Sequence, residues 1–203
     1  MTRKMFLAIT CTAIVMASAA TTTGVSAANL AERSSGLATF GAAPGFRTRY
    51  PATWSHLEQS LQPTIGHYLV YLSNQKMHDP CTTTDDGAGR ITESCGLPIG
   101  TLKPGGVFVS WASGGVPMSQ AALASSLDQA PGRPFSVDGQ PGKLSIGVPH
   151  GEGCLGATRV MRAAFLADGQ FRFQMLACLR GPKLGEHESQ VRAMLRATHF
   201  GTP

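Results

Sequence analysis

The sequence predicts one α+β domain in which a mostly antiparallel sheet packs with helices and disulfides staple the chain. Three observations lead to this prediction. Short apolar or alternating runs bounded by glycine and proline are typical of antiparallel strands. An amphipathic stripe near the C-terminus is typical of a helix that covers a sheet. Four cysteines follow an export signal, and an even number of cysteines in an oxidising compartment predicts two disulfides.

The N-terminus predicts export. Arg3 and Lys4 precede an apolar run that ends in small residues, which is the pattern of a secretory signal peptide. The apolar run is shorter than the ~20 residues of a membrane-spanning helix, so we expect no transmembrane anchor after cleavage. We assign 1–28 to the signal peptide, 29–45 to a flexible lead-in and 46–203 to the folded domain. Arginine is more frequent than lysine, and both alanine and glycine are abundant, as in bacteria with GC-rich genomes. Together with the signal peptide, this composition predicts a bacterial protein that is secreted or periplasmic.

The N-terminal half of the domain is predicted to hold two strands and one helical turn. Residues 46–50 alternate between apolar and polar side chains, and Pro51 ends this strand because proline cannot donate to a sheet ladder. Ser55 with Glu58 three residues later fits a capping box, so we expect a helical turn there. The mixed aromatic and β-branched run 66–73 is predicted to be a strand.

The cysteine spacing predicts how the disulfides pair. Cys81, Cys95, Cys154 and Cys178 lie beyond the signal peptide, and three pairings of them are possible. We favour Cys81–Cys95 and Cys154–Cys178 because each closes a short loop, worth about 3 kcal/mol by chain entropy. The first disulfide would tie together the long polar segment 74–104, which we predict to be a loop. Close Cys-x-x-Cys or His-x-x-x-His pairs do not occur in the sequence, so we predict neither a metal site nor a cofactor.

The C-terminal half is predicted to alternate strands with two helices. Residues 107–112 read as a buried strand, and a helix over 119–129 begins at the capping residue Ser119. Two further strands, 135–137 and 143–148, flank an Asp-Gly turn. The last helix is predicted over 184–198, where apolar residues recur along one stripe.

The clearest prediction is a hairpin of strands 158–166 and 170–179. A three-residue loop containing Asp-Gly joins them, which suits a type I turn followed by a left-handed glycine. This loop pairs Phe165 with Phe171. It places the apolar side chains on one face of the hairpin and the arginines on the other.

A basic surface is the leading candidate for a functional site. Arg162, Arg172 and Arg192 fall in the predicted hairpin and the helix after it, and Trp54 follows a proline turn, where partial exposure is expected. The whole chain has a formal net charge of +5, to which Arg3 and Lys4 of the signal contribute two. So small a balance without a Lys/Arg run argues against nucleic-acid binding. The sequence favours a non-enzymatic binding protein whose partner is an extracellular or envelope protein.

Two alternative functions stay open. His150 and Glu152 lie on a glycine-rich segment and could act as an acid–base pair in a small secreted hydrolase. A turn that enters a disulfide-anchored strand explains the same residues, so catalysis is not favoured. The third hypothesis is a secreted protease inhibitor that presents the loop between Cys81 and Cys95, with Arg90 as its anchor, because a stapled loop is preorganised for binding.

Three short motifs resemble those of the PsbP-like superfamily. YPATW at 50–54 resembles the superfamily's entry turn, VDGQP at 137–141 its central turn, and THF at 198–200 the ending after its last helix. The resemblance covers 46–200. It implies an antiparallel sheet between helices and a protein that acts mainly by binding. The resemblance supplies no catalytic residues to carry over.

Overall fold

The computed structural model describes residues 36–42, 45–58, 67–114, 119–149, 154, 156–167 and 171–201. The predicted signal peptide, residues 29–35, 43 and 44 of the predicted lead-in, and His150 and Glu152 lie outside the described residues. Within the described part of that lead-in, residues 37–42 form a strand and Phe40 is buried. The elements in chain order are β1 (Leu37–Ala42), β2 (Phe46–Pro51), β3 (Ser55–Leu57), β4 (His67–Ser73), β5 (Cys81–Asp85), β6 (Ile91–Cys95), β7 (Val107–Ser113), α1 (Gln120–Gln129), β8 (Arg133–Val137), β9 (Gln140–Gly147), β10 (Arg159–Ala167), β11 (Phe171–Leu179), α2 (Leu184–Arg196) and β12 (His199–Phe200).

The described strands form three antiparallel sheets. The main sheet has seven strands in the order β3-β4-β7-β11-β10-β9-β8, and a small sheet has the order β1-β2-β12. Strands β5 and β6 pair with each other as a separate hairpin. The predicted combination of a mostly antiparallel sheet with helices is confirmed. The described chain is richer in strands than the prediction implied, because short polar segments form strands as well.

The core lies between one face of the main sheet, the small sheet and α2. Alternate side chains of each strand point to this face, and Trp111 of β7 and Phe165 of β10 are fully buried there. From the small sheet, Phe46 brings its ring centroid to 5.1 Å from that of Trp111. Each buried large apolar side chain contributes about 1.5–3 kcal/mol. Because side chains alternate along a strand, burial of these residues on the core face places their neighbours in sequence on the opposite face of the main sheet.

The β10–β11 hairpin confirms the predicted faces but not the predicted register. Phe165 pairs with Phe173 rather than with Phe171, so the predicted register was wrong by two residues. A shift of two residues keeps every side chain on its predicted face. Strand β10 continues one residue further than predicted and β11 begins one residue later, so the last pair is Ala167 with Phe171, and Ala167 is buried. The loop residues, 168–170, lie outside the described residues.

Glycine is required in β9 at the position that faces this hairpin. A Cβ added to Gly142 would lie 2.4 Å from Cδ1 of Phe165 and 2.6 Å from the carbonyl oxygen of Ala164. Phe165 is fully buried and cannot move aside. We therefore expect Gly142→Ala to lower the free energy of unfolding by about 1–3 kcal/mol in urea unfolding, as overpacking does. Gly147→Ala in the same strand is the matched control, because no described atom approaches its added Cβ; equal unfolding midpoints would contradict the prediction.

Two local predictions for polar segments were wrong. Residues 55–57 form strand β3 rather than a helical turn, and His56 pairs with Leu72 of β4. One isolated helical turn has little stability of its own, so pairing with a long strand prevails. The predicted loop between the first two cysteines of the domain is also a hairpin, in which Cys81 lies directly opposite Cys95.

The predicted disulfides and the predicted helix cap are present. Cys81–Cys95 and Cys154–Cys178 are both formed, with Cα atoms 4.0 and 5.5 Å apart. The backbone N–H of Ala122 donates to the hydroxyl of Ser119 at 3.2 Å, so α1 begins where the sequence indicated.

Candidate functional site

A pocket of about 550 Å³ lies between α1 and the face of the main sheet that points away from the core. We call it the arginine pocket, after Arg162 and Arg172 in its lining. The side chains on the floor of the pocket are short, because Ala112 of β7 and Ala164 of β10 occupy the middle of this face. Ser110, which is 5% exposed, adds a hydroxyl beside them. Small residues on neighbouring strands therefore leave the cavity open.

Helix α1 forms the opposite wall of the pocket. Ser126, Gln129 and the segment that ends the helix line the cavity. Leu123 is the buried residue of α1, and the ammonium group of Lys143 on β9 donates to the carbonyl oxygen of Asp128. This hydrogen bond holds the C-terminal end of α1 over the sheet. The helix thus brings a hydroxyl and an amide to a cavity whose other wall is cationic.

The two arginines bracket the centre of the pocket. Arg162 lies opposite Leu176 and Arg172 lies opposite Leu166, so they are four residues apart along the strands, or about 13 Å. Gln174 lies between them. With the amide oriented by its hydrogen bonds, the Gln174 oxygen accepts from Nε of Arg172 at 2.9 Å and from Nη2 at 3.2 Å. This contact draws the guanidinium group of Arg172 toward the centre of the pocket.

A β-bulge in β4 adds a tyrosine to the rim. The register shifts between Tyr68 and Val70, so Tyr68 faces Ala112 while Val70 faces Trp111 of the core. Tyr68 is 41% exposed and packs its ring 5.1 Å from that of Tyr71. Burial and the neighbouring Tyr68 raise the pKa of Tyr71, which therefore stays protonated. Tyr68 thus adds an aromatic ring to the rim of the pocket, and the buried Tyr71 supports that ring from below.

The electrostatic character of the pocket is positive. Its described lining contains two guanidinium groups and no carboxylate. Among the described residues, neither Arg162 nor Arg172 takes part in an ion pair. A cleft lined by one sign of charge focuses its field and concentrates ligands of the opposite sign. The arrangement can hold an anion by charge-assisted hydrogen bonds.

The third predicted arginine lies elsewhere. Arg192 is on α2, which covers the core face of the main sheet, and its guanidinium group donates to Glu188 from Nη2 at 3.0 Å and from Nε at 3.1 Å. Arg159 donates to the same carboxylate at 2.9 Å. Partial burial would raise the pKa of Glu188, but the hydrogen bonds from these arginines outweigh it and lower that pKa. The predicted basic surface is therefore split between two sides of the sheet, because α2 packs on the core face while Arg162 and Arg172 lie on the opposite face.

Trp54 and Arg90 also stand apart from the arginine pocket. Trp54 was expected to be partly exposed, but it is only 7% exposed and belongs to the core. Arg90 lies at the tip of the β5–β6 hairpin with its side chain 80% exposed, 3.0 Å from the carboxylate of Asp86. Hydrogen bonds from the backbone of Ala88 and Arg90 lower the pKa of Asp86, so the tip is ordered by that carboxylate. The protease-inhibitor hypothesis stays a prediction.

Sequence reasoning placed the two arginines on one face but missed what encloses them. The cover by α1 depends on contacts between distant segments, which the sequence does not display. One signal was available: alanines 112 and 164 occupy a sheet face that larger side chains would otherwise fill. The position of Tyr68 had no such signal, because a bulge interrupts the alternation of β4.

Within the described ranges, no three His, Cys, Asp or Glu side chains come together as a metal-binding group. The helices in that part of the chain include none that is long and apolar enough to cross a membrane. Comparisons with protein-family models, with curated proteins and with solved structures give no match to this chain. The resemblance to the PsbP-like superfamily therefore stays a prediction.

Proposed function

We propose that this protein is a non-enzymatic binding protein that acts outside the cytoplasm and holds its ligand in the arginine pocket. The observation that carries the proposal is the cavity itself, about 550 Å³ between α1 and the polar face of the main sheet. Ligand sites are concave, and a few polar groups in them fix the orientation of the ligand. The two disulfides support a location in an oxidising compartment.

The shape of the site favours a small ligand over a protein surface. A protein partner would be expected to use a broad contact area with exposed anchors. Here Arg162 and Arg172 lie half-buried in a concavity, while Arg192 points from the other side of the sheet. An extracellular or envelope protein that inserts a short segment into the pocket is the alternative partner.

The test of this proposal is to fill the pocket from its floor. Ala164→Leu places a larger side chain where Ala164 lines the cavity. The oxidised protein is immobilised and exposed to medium and extract of the producing cells, and the retained small molecules are measured by mass spectrometry. We expect Ala164→Leu to lower retention by about fivefold or more, because overpacking a contact costs at least about 1 kcal/mol.

Matched variants keep this experiment decisive. Ala193→Leu makes the same substitution at an exposed position of α2, and we expect retention equal to that of the unmodified protein. Ser126→Leu fills the cavity from α1 without changing the sheet, so it replaces Ala164→Leu if that variant unfolds. A ligand retained equally by all of these variants would place the binding site elsewhere and overturn the proposal.

A further inference from the structure

We infer that the arginine pocket takes a small dianion, with one oxyanion group at Arg162 and the other at Arg172. This inference rests on the proposed binding function and adds the chemical class of the ligand. It is carried by the charges, the hydrogen bonds and the spacing of the two arginines on β10 and β11.

The first step is the missing counter-charge. Four cationic side chains of the described chain, Arg90, Arg159, Lys183 and Arg192, each lie within 3.4 Å of a carboxylate; the others in that part of the chain, Arg47 and Arg133 among them, take part in no ion pair. Arg162 and Arg172 have none among the described residues, although both line the same cavity. Two guanidinium groups that share a partly enclosed space repel each other, and a bound anion relieves this repulsion. Two positive charges are neutralised by two negative ones.

The second step is the availability of hydrogen-bond donors. A guanidinium group carries five N–H donors in a planar fork that matches carboxylate or phosphate oxygens. Gln174 accepts from Nε and Nη2 of Arg172, so the remaining donors of that group can face the cavity. Gln174 thus acts as a positioning residue for Arg172. No hydrogen bond of the Arg162 guanidinium group to another described residue competes for its donors.

The third step is the spacing. Arg162 pairs with Leu176, so Gln174 is its diagonal neighbour across the two strands, at about 7–8 Å. Because Gln174 accepts from Arg172, we infer a separation of the two guanidinium groups between this diagonal and the ~13 Å that separates the two backbone positions. This separation is too large for one carboxylate to make bidentate contacts with both. It suits two oxyanion groups joined by a short chain.

The fourth step is the surface between the arginines. Ala112 and Ala164 form an apolar floor, Ser110 adds one hydroxyl, and Tyr68 contributes a ring at the rim. A short carbon chain fits this floor and leaves its charged ends to the arginines. Dicarboxylates and bisphosphates share this chemistry, because both carry two oxyanion groups on one linker.

The experiment compares ligands that differ in the number of charged ends, in the type of oxyanion and in chain length. Pentanedioate, pentanoate and 1,5-pentanediol are titrated into the oxidised full-length protein by calorimetry, together with the bisphosphate of the same diol and the dicarboxylates from four to eight carbons. We expect the best dianion to bind at least about tenfold more tightly than the monoanion, since each charged hydrogen bond contributes more than a tenfold change in affinity. The diol should give no binding. The bisphosphate carries about three to four negative charges and the dicarboxylate two, and the tighter of these two classes identifies the type of oxyanion that the pocket prefers.

Substitutions then assign the two ends of the ligand. We expect Arg162→Gln and Arg172→Gln each to abolish the preference for dianion over monoanion. We expect Gln174→Leu to weaken dianion binding less than Arg172→Gln does, because it removes only the residue that positions Arg172. Arg47→Gln removes the same charge from an exposed position of β2 in the small sheet and should leave affinity unchanged. A thermal unfolding curve for each variant separates lost binding from lost folding.

Defined results would overturn the inference. Binding of the diol as tightly as the dianion, an unchanged preference in both arginine variants, or no binding of any dicarboxylate or bisphosphate would each do so. The proposed function fails in a different way. If Ala164→Leu abolishes retention of an uncharged ligand, the pocket is the binding site and only the dianion inference is lost. If neither Ala164→Leu nor Ser126→Leu changes retention, the proposed function itself is lost.

Discussion

Phe200→Ala is expected to lower the free energy of unfolding by about 3–5 kcal/mol, as other large-to-small substitutions of buried aromatic residues do. Phe200 is 3% exposed although it lies at the end of the described chain. Its ring centroid is 4.9 Å from that of Phe173, 5.1 Å from Phe165 and 6.3 Å from Trp111. Removing the ring leaves a cavity lined by fully buried aromatic side chains that have little freedom to close it.

The backbone around Phe200 is held as firmly as its ring. Its N–H donates to the carboxylate of Asp138 at 3.1 Å, and strand β12 pairs with Phe46 of β2. The expected loss therefore arises from the whole fold and not from fraying of a terminus. Urea unfolding followed by tryptophan fluorescence measures it, with Ile91→Ala as the control because Ile91 is 69% exposed. A loss below about 1 kcal/mol would show that the last strand separates before the core unfolds.

Local sequence signals predicted the features that depend on neighbours in the chain. The hydroxyl of Ser119 caps α1 because a cap needs only residues within one turn. The two disulfides join cysteines that are close in sequence. The faces of β10 and β11 follow from alternation alone, so the side of the sheet that holds Arg162 and Arg172 was predictable.

Features that depend on distant segments were not predictable in the same way. The register of β10 with β11 is shifted by two residues because the three-residue loop begins one residue later than predicted, after the buried Ala167, and the choice between two such loops has no local signature. Strand β3 forms because β4 offers it a partner. The hairpin of β5 and β6 is polar and almost wholly exposed, so hydrophobic alternation could not reveal it.

The candidate site shows the same division. Two of its cationic groups were predicted on one face, but α1 covers that face only because the chain crosses back over the sheet between β7 and β8. Arg192 was grouped with them because it is close in sequence and basic. In the folded protein Glu188 holds it on α2. Charge counted along a sequence therefore does not say which charges share a surface.

Removing the Cys154–Cys178 disulfide is the second substitution with a large expected effect. The double variant Cys154→Ser/Cys178→Ser should lose about 2–5 kcal/mol of stability. Cys178 is 1% exposed in the centre of the main sheet, and the disulfide lies in a buried cluster with Tyr71, Phe108 and Val160. Without the bond the loop between residues 154 and 178 is no longer closed, so the unfolded chain gains conformational entropy. The two serines also place hydroxyl groups among apolar side chains. Both changes favour the unfolded state.

The matched control is Cys81→Ser/Cys95→Ser, which removes the other disulfide. Among the described strands, β5 and β6 pair only with each other, so this hairpin can open while the main sheet stays folded. The Cys81–Cys95 disulfide then lowers the conformational entropy of the open hairpin and of the unfolded chain by similar amounts. We therefore expect its removal to change the urea midpoint of the main sheet little. Limited proteolysis should instead cut this variant between residues 82 and 94. Equal losses of stability in the two double variants would mean that the hairpin unfolds only together with the sheet, against this expectation.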